Sequence, residues 1–319
     1  MTERPAYETL DSLLPILTKD LTPNSVYSYR WVIGLIKQFD HDVTVQNIDA
    51  IWIERFSNWL RLERTLKPAS LNVASATVRA MLQKLFDAGL LESVPAPRKV
   101  SHSNPKSKRA AINVGSAAML SDDELMRFLH KVDSLPIIWK TVFTFLLESG
   151  SRIGECNGLQ WQDVDLDTGH IIIRNNLQHI EGGEYYITTP KSGRIRHLYL
   201  NPNGKSLSYL RQMHLDKQYV DESEYVFHMP GHRHLGYHSA YDKLRRLGRQ
   251  IDISHLHPHM LRHTMASLSI QSGVDLATTS QMLGHSSPYV TANIYLHTNE
   301  SRQQEGGHAI SSALKRFSK

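Results

Sequence analysis

The stretch that decides the fold runs from His257 to Tyr295 and reads HPHMLRHTMASLSIQSGVDLATTSQMLGHSSPYVTANIY. Pro258 suits the first position of a helix, because the N–H that proline lacks needs no partner there. Apolar residues then recur at helical spacing until a glycine ends the helix. Asp275 is expected to cap a second helix that ends at Gly284, and a Ser-Pro pair opens a third. The stretch therefore predicts three consecutive short helices.

The polar residues of these helices are of the kinds that hold and attack a phosphate. His259, Arg262 and His263 share one face near the positively charged N-terminus of the first helix. His285 follows the glycine that ends the second helix, and Tyr295 lies on the third. Guanidinium and imidazole groups can stabilise phosphate charge, and a phenol can act as a nucleophile. The stretch therefore predicts half of an active site.

The composition indicates a two-domain globular protein with an anionic partner. The chain has 319 residues, and its hydrophobic fraction of 40% is ordinary. Its net charge of +5 and its pI of about 9.1 favour a polyanion. No apolar run reaches the roughly 18 residues that span a membrane, and the N-terminus lacks the apolar core of a signal peptide. The single cysteine, Cys156, excludes an internal disulfide and fits the reducing cytoplasm.

The first part of the chain, residues 1–97, is predicted to be a small helical domain. Residues 1–20 are expected to be irregular, because they contain two prolines. Apolar residues at helical spacing then predict helices over residues 22–39, 48–64 and 68–88. A helical bundle whose polar face is solvated would explain this pattern without any binding function.

A linker is predicted over residues 98–114, because this stretch is rich in serine and cations and contains no acidic residue. Its cations are Arg98, Lys99, Lys106, Lys108 and Arg109. A solvated, flexible connector would explain this composition. We expect the cations also to contact phosphates, because a basic strap can follow a nucleic-acid backbone.

The remainder, residues 115–319, is predicted to be a mixed α/β domain. It opens with a capping box formed by Ser121 and Glu124. Three strands are expected, over residues 170–174, 185–189 and 195–200. The first two would be joined through Gly182-Gly183 and the last two through a turn that contains Lys191. A short amphipathic helix at the C-terminus is expected to pack on its own domain or on a neighbour.

A second arginine, Arg152, lies in the sequence Ser-Arg-Ile-Gly-Glu that ends at Glu155. Arg152 and Arg262 could each form a fork on the non-bridging oxygens of one phosphate, offsetting the charge of the transition state. Glu155 lies three residues after Arg152, close enough along a helix to orient it. An ordinary structural ion pair between the two residues would explain the same spacing. No carboxylate cluster suited to a metal is visible, so neither a metal nor another cofactor is expected.

These motifs, taken in order, resemble those of the tyrosine recombinases, the lambda-integrase family of site-specific DNA recombinases. They are Ser-Arg-Ile-Gly-Glu, the lysine in a strand turn, His-x-x-Arg-His, Leu-Gly-His and a tyrosine shortly beyond. The resemblance is strong over residues 115–300 and weaker over the helical N-terminal half. It implies a fold that is mainly α with a small β-sheet, in which a helical core-binding domain precedes the mixed α/β catalytic domain.

The resemblance also implies the chemical roles. Tyr295 would attack a DNA phosphate to give a 3′-phosphotyrosyl bond and a free 5′-hydroxyl. Lys191 would be the general acid for the leaving oxygen, and His259 would help to deprotonate the nucleophile. His285 would donate a hydrogen bond to the phosphate. Tyr289 remains a second candidate nucleophile, since ten residues separate His285 from Tyr295.

Three further residues near the expected site have less specific roles. Arg194 and Arg196 follow the turn of Lys191, and we expect both to contact DNA phosphates. His263 either makes a structural hydrogen bond or takes part in the site. The first predicted helix begins directly after residue 21, so no separate arm-site-binding domain is expected before it.

The resemblance implies a homotetramer on duplex DNA, assembled from monomers or weak oligomers. It would act in the cytoplasm on the nucleoid and exchange strands through a Holliday junction. Two alternatives stay open: a type IB topoisomerase-like enzyme that relaxes DNA, and a DNA-binding protein that does not cleave. A zinc site is also conceivable, because four histidines crowd one segment. They are His228, His232, His234 and His238. The segment is rich in glycine, however, so we favour a loop near DNA.

Overall fold

A computed structural model describes residues 9–95, 119–180, 183–190, 193–216, 221–231, 233–285 and 291–292. The described chain divides into two compact units, the first containing residues 9–95 and the second beginning at residue 119. The predicted linker lies outside the described residues. Its five cations therefore remain predictions as DNA contacts: Arg98, Lys99, Lys106, Lys108 and Arg109.

The first unit is a helical bundle. Its helices are α1 (Leu14–Thr18), α2 (Pro23–Phe39), α3 (Ala50–Leu62) and α4 (Pro68–Asp87). The Thr22 side chain caps α2, and the Asp49 side chain caps α3 by accepting the Trp52 N–H at 2.6 Å. Buried aliphatic residues of α2, α3 and α4 form one core, which Phe39 and Trp52 close with ring centroids 5.4 Å apart. The three predicted helices are confirmed.

The prediction that residues 1–20 are irregular was wrong for α1. Pro15 lies in the first turn of this helix, where a proline removes no intrahelical hydrogen bond. Leu17 is fully buried in the core of the bundle. Tertiary burial of one apolar side chain therefore stabilises a helix that is too short to form alone.

The second unit is mainly helical. Its helices are α5 (Asp122–Asp133), α6 (Ile137–Ser149), α7 (Ile153–Asn157), α8 (Lys205–Leu215), α9 (Tyr237–Gln250), α10 (Pro258–Gln271) and α11 (Leu276–Leu283). The capping box of Ser121 and Glu124 is present at the start of α5. Helix α6 lies at the centre, with Phe143 and Phe145 fully buried. Across the described ranges, no helix combines the length and the apolar character that crossing a bilayer requires.

The three predicted strands are confirmed, and the described residues contain one more. The strands are β1 (His170–Ile173), β2 (Asn176–His179), β3 (Tyr185–Thr188) and β4 (Arg196–Tyr199). Strand β1 pairs antiparallel with β4, and β2 pairs antiparallel with β3. Strand β2 was missed because its sequence, Asn-Leu-Gln-His, contains no β-branched or aromatic residue. The described residues are thus mainly α with two small sheets, which confirms the predicted fold class.

Of the three helices predicted from residue 257 onward, α10 and α11 are confirmed. Pro258 occupies the first turn of α10, and the Asp275 side chain caps α11 by accepting the Thr278 N–H at 2.9 Å. The predicted third helix lies outside the described residues except for Thr291 and Ala292, which are helical. The predicted C-terminal packing helix also lies outside them.

Candidate active site

Two helix ends meet at the site, and a glycine permits this approach. Helix α6 ends at Gly150, which has a left-handed φ of 62°. A Cβ added to Gly150 would lie 2.8 Å from Leu283 Cδ2 and 2.9 Å from Met265 Sδ. A larger residue would therefore force the Leu283 or Met265 side chain to move, and it would strain the backbone at this positive φ.

Arg262, one turn into α10, joins these helix ends. Only 3% of the residue is exposed. Its guanidinium donates from Nη1 to the Gly150 carbonyl at 2.7 Å and from Nη2 to the Leu283 carbonyl at 2.6 Å. Each carbonyl belongs to the last turn of a helix, where backbone oxygens need partners from outside the helix. Arg262 thus links α6, α10 and α11 through one buried cation.

Arg152 approaches the same turn from another direction. It has extended backbone directly before α7, and its Nη1 donates to Glu155 Oε1 at 2.9 Å. Its Nη2 lies 3.5 Å from the Gly284 carbonyl oxygen, next to the Leu283 carbonyl that Arg262 binds. The two arginines therefore converge on one turn of chain, although 110 positions separate them in the sequence.

His285 completes this turn. Its Nδ1 lies 2.8 Å from Thr291 Oγ1, so the contact with Thr291 uses Nδ1 and not Nε2. Burial, together with the positive charges of Arg262 and Arg152, lowers the pKa of His285 to about 4, so the ring is neutral at pH 7. Sequence reasoning missed Thr291, because no local pattern relates it to His285.

The arginine cluster carries unbalanced positive charge. Burial and the positive charge of Arg152 lower the pKa of Arg262 to about 9, and Glu155 opposes this shift only in part. Within the described part of the chain, Glu155 is the carboxylate that binds Arg152 and Arg196, and its charge also acts on Arg262. Three guanidinium groups and one carboxylate give two net positive charges in a partly buried cluster, which favours an anionic ligand.

Arg196 was predicted to contact a DNA phosphate, but its side chain is buried within the protein. It is 6% exposed and forms a bidentate ion pair with Glu155, with distances of 2.9 and 2.8 Å. Strand alternation is the reason: Arg196 and Leu198 of β4 are buried, whereas His197 and Tyr199 are exposed. The alternation was readable from the sequence, but the position of Glu155 was not. Arg194, by contrast, is exposed.

The two remaining histidines of the motif lie on α10. His259 is exposed. His263 is half-buried, and its Nδ1 has no hydrogen-bond partner in the part of the chain that the structure describes. Burial and the charges of its neighbours, His259 first, lower the pKa of His263 to about 4. His263 is thus neutral and adjoins the arginine cluster.

Three of the predicted residues lie outside the described residues. They are Lys191, Tyr289 and Tyr295. The described neighbours of Lys191 are Pro190 and Gly193, which belong to the connection between β3 and β4, as the sequence predicted. The roles of Lys191 and Tyr295 therefore remain predictions.

The histidine-rich segment is dispersed among separate contacts. His234 packs on Tyr185 with ring centroids 4.1 Å apart, and His238 packs on His179 at 5.2 Å. His228 Nε2 lies 3.3 Å from a carboxylate oxygen of Glu224. Among the described residues, which omit His232, no three histidine, cysteine or acidic side chains are placed to share a metal ion.

Comparison with known proteins identifies the family. A model of the phage integrase family matches residues 118–302, and one of the phage integrase SAM-like domain matches residues 8–103. The first match alone covers more than half of the chain. The chain belongs to the phage integrase family.

Relatives and solved structures agree with this assignment. The ICEBs1 integrase of Bacillus subtilis (strain 168) is 24% identical over 305 residues, covering 90% of this chain and 77% of the relative. A structure of the Tn1549 transposon integrase in complex with a circular intermediate DNA superposes with a TM-score of 0.74 and 17% identity, covering 93% of this chain and 99% of that one. The XerH recombinase bound to difH superposes with a TM-score of 0.64 and 17% identity, covering 94% and 83%. These structures share the fold.

The comparisons confirm the prediction of a tyrosine recombinase with an N-terminal helical domain and a catalytic domain. The protein is a site-specific recombinase, and its enzyme class is that of the tyrosine-type DNA strand transferases. Neither alternative, a DNA-relaxing enzyme or a non-cleaving binder, is favoured by any relative.

Proposed function

We propose that this chain cleaves and rejoins duplex DNA at a specific site through a 3′-phosphotyrosyl intermediate on Tyr295. The observation that carries the proposal is the convergence of Arg152 and Arg262 on the carbonyls of Leu283 and Gly284, beside His285. A phosphodiester is an anion that repels nucleophiles, and a phenol with a pKa of about 10 is a weak one. The site must therefore supply positive charge, which these arginines carry.

The proposed reaction needs no cofactor, because each step exchanges one phosphoester for another. The Tyr295 phenol oxygen attacks phosphorus while the bond from phosphorus to the 5′-oxygen breaks. His259 receives the phenol proton, and Lys191 gives a proton to the departing 5′-oxygen. In the second half, the 5′-hydroxyl of a partner strand gives its proton back to Lys191 and attacks phosphorus, while the Tyr295 oxygen leaves and recovers its proton from His259. The bond energy stays in the covalent intermediate, so joining requires no ATP.

His285 would donate from Nε2–H to a non-bridging oxygen. A neutral imidazole carries one N–H, so this role requires Nδ1 to accept a hydrogen bond. In the proposed arrangement the Thr291 hydroxyl donates that bond, since it lies 2.8 Å away and is fully buried. Thr291 would thus select the tautomer that can serve the phosphate.

Thr291→Val is expected to slow covalent adduct formation about 5-fold, because a net hydrogen bond of ~1 kcal/mol no longer holds the tautomer. The rate would be measured in single turnover on a nicked duplex. Thr291→Ser keeps the hydroxyl and should stay within about 3-fold of the parent rate. Equal rates for the valine and serine variants would contradict the proposed role.

The proposed assembly is a tetramer on duplex DNA, in which two protomers cleave at a time and strands pass through a Holliday junction. Support comes from relatives: the solved integrase and XerH structures are complexes with DNA. The exposed Arg194 and the linker cations would contact phosphates. A mobile element is the proposed setting, since a similar chain is the integrase of a transposon.

The proposal is tested by trapping. Cellular DNA bound covalently to the protein would be sequenced to find the site, and nicked duplexes of that site would then be offered in pairs. A protease-sensitive adduct at the 3′-phosphate, followed by strand exchange between two duplexes, is the expected result. Relaxation of supercoils without exchange would indicate a topoisomerase-like enzyme instead. Binding with no adduct would indicate a protein that does not cleave.

A further inference from the structure

The carboxylate of Glu155 is saturated by two arginines. Oε1 accepts from Arg152 Nη1 and from Arg196 Nη1, both at 2.9 Å. Oε2 accepts from the Arg152 backbone N–H and from Arg196 Nη2, both at 2.8 Å. The Glu155 side chain has no exposed surface. All four contacts are therefore charge-assisted or backbone hydrogen bonds in a site without competing water.

Arg196 supplies the main counter-charge to Glu155. Burial alone would raise the pKa of Glu155, but the hydrogen bonds and charge of Arg196, followed by the charge of Arg152, lower it to about 2. Glu155 is consequently ionised at any working pH. Without Arg196, this negative charge would be left to Arg152, which would then have less positive charge to offer a phosphate.

Arg196 also lies directly beneath the turn that carries His285. A Cβ added to Gly284 would lie 2.5 Å from Arg196 Cδ and 2.6 Å from Nη1. Gly284 has a left-handed φ of 66°, so the turn presses its bare backbone against the buried guanidinium. Glu155, Arg196 and the turn at Gly284 thus pack directly against one another.

We propose that Arg196 is a positioning residue of the active site, which takes up the charge of Glu155 so that Arg152 remains free to bind the phosphate. The inference rests on the proposed function. In this proposal Arg196 serves Glu155 and not the phosphate, because its two terminal nitrogens form a bidentate ion pair with that carboxylate. It acts through Arg152 and through the turn at Gly284.

The test compares Arg196→Met with the double variant Arg196→Met, Glu155→Gln. Methionine keeps the aliphatic contact under Gly284 but removes the charge, and glutamine removes the carboxylate that would then neutralise Arg152. The affinity of the DNA-free protein for inorganic phosphate, measured by calorimetry, should fall about 10-fold in the single variant. It should return to within about 3-fold of the parent value in the double variant.

Lys205→Met is the matched control. Lys205 forms an exposed ion pair with Asp133 in the same unit, so its loss removes one positive charge without touching the site. Its phosphate affinity should equal that of the parent protein. A double variant that binds phosphate as weakly as the single variant would overturn the proposal, and so would an unchanged single variant.

Arg196→Met leaves the buried Glu155 charge with Arg152 alone, which destabilises the fold, so the folded fraction of each variant is measured first. If Arg196→Met is unfolded, the double variant alone is informative: parental phosphate affinity supports the proposal, and lost affinity in a folded protein overturns it. Adduct formation on DNA is measured separately. A parent protein that forms no adduct would refute the proposed function. The phosphate affinities would still test whether Arg196 keeps Arg152 free to bind an anion.

Discussion

Tyr295→Phe is expected to bind its recombination site with parental affinity and to form no covalent adduct. The substitution removes one oxygen, which is the atom that the proposed mechanism joins to phosphorus. The substitution leaves Arg152, Arg262 and His285 unchanged, and these are the residues that hold the phosphate in the proposed mechanism. Gel-shift affinity and adduct yield on a nicked duplex would be measured on the same protein samples.

Two further tyrosine variants sharpen this experiment. Tyr199→Phe is the control, because Tyr199 is 73% exposed on β4 and stacks on His170. Its adduct yield should match the parent. Tyr289→Phe addresses the rival nucleophile. An adduct that persists in Tyr295→Phe and disappears in Tyr289→Phe would transfer the role to Tyr289.

Arg262→Lys is expected to lose both cleavage and stability. Lysine keeps the charge but has a single ammonium, which cannot reproduce the fork that binds the Gly150 and Leu283 carbonyls. Adduct formation should slow about 100- to 1,000-fold, as for other lost donors to a transition state. The free energy of unfolding should fall by about 1–3 kcal/mol for each buried carbonyl left without a partner. Urea denaturation and single-turnover cleavage would measure the two losses.

Arg211→Lys separates these two effects. Arg211 on α8 also bridges backbone carbonyls, donating to Leu166 at 2.9 Å and to Pro202 at 2.8 Å, and it belongs to no predicted site. This variant should lose stability while its rate of cleavage, measured below its unfolding midpoint, stays parental. If Arg262→Lys cleaved as fast as Arg211→Lys, Arg262 would have only a structural role.

Local features of the fold were predictable because their causes lie within a few residues. Thr22, Ser121 and Asp275 each satisfy backbone donors three residues on, so the starts of three helices could be placed from the sequence. The one failure among the first helices, α1, came from reading a proline as an interruption where it begins a helix.

The pairing of strands was not predictable in this way. Strand β1 pairs with β4 although β2 and β3 lie between them in the sequence, so the order of the strands along the chain does not give the partner of each. The same holds for Arg196. Its inward direction followed from alternation along β4, but its partner, Glu155, lies 41 positions away.

For this protein, the sequence alone determined which residue types could hold and attack a phosphate, because motif spacing and helix caps depend on neighbouring residues. It also determined the family, through the order of those motifs. Only the tertiary structure decided that Arg196 binds Glu155, that Arg262 joins the ends of α6 and α11, and that Thr291 meets His285. These are contacts between buried polar groups. Their partners are set by which groups lose water together when the helices pack, and no local pattern records that choice.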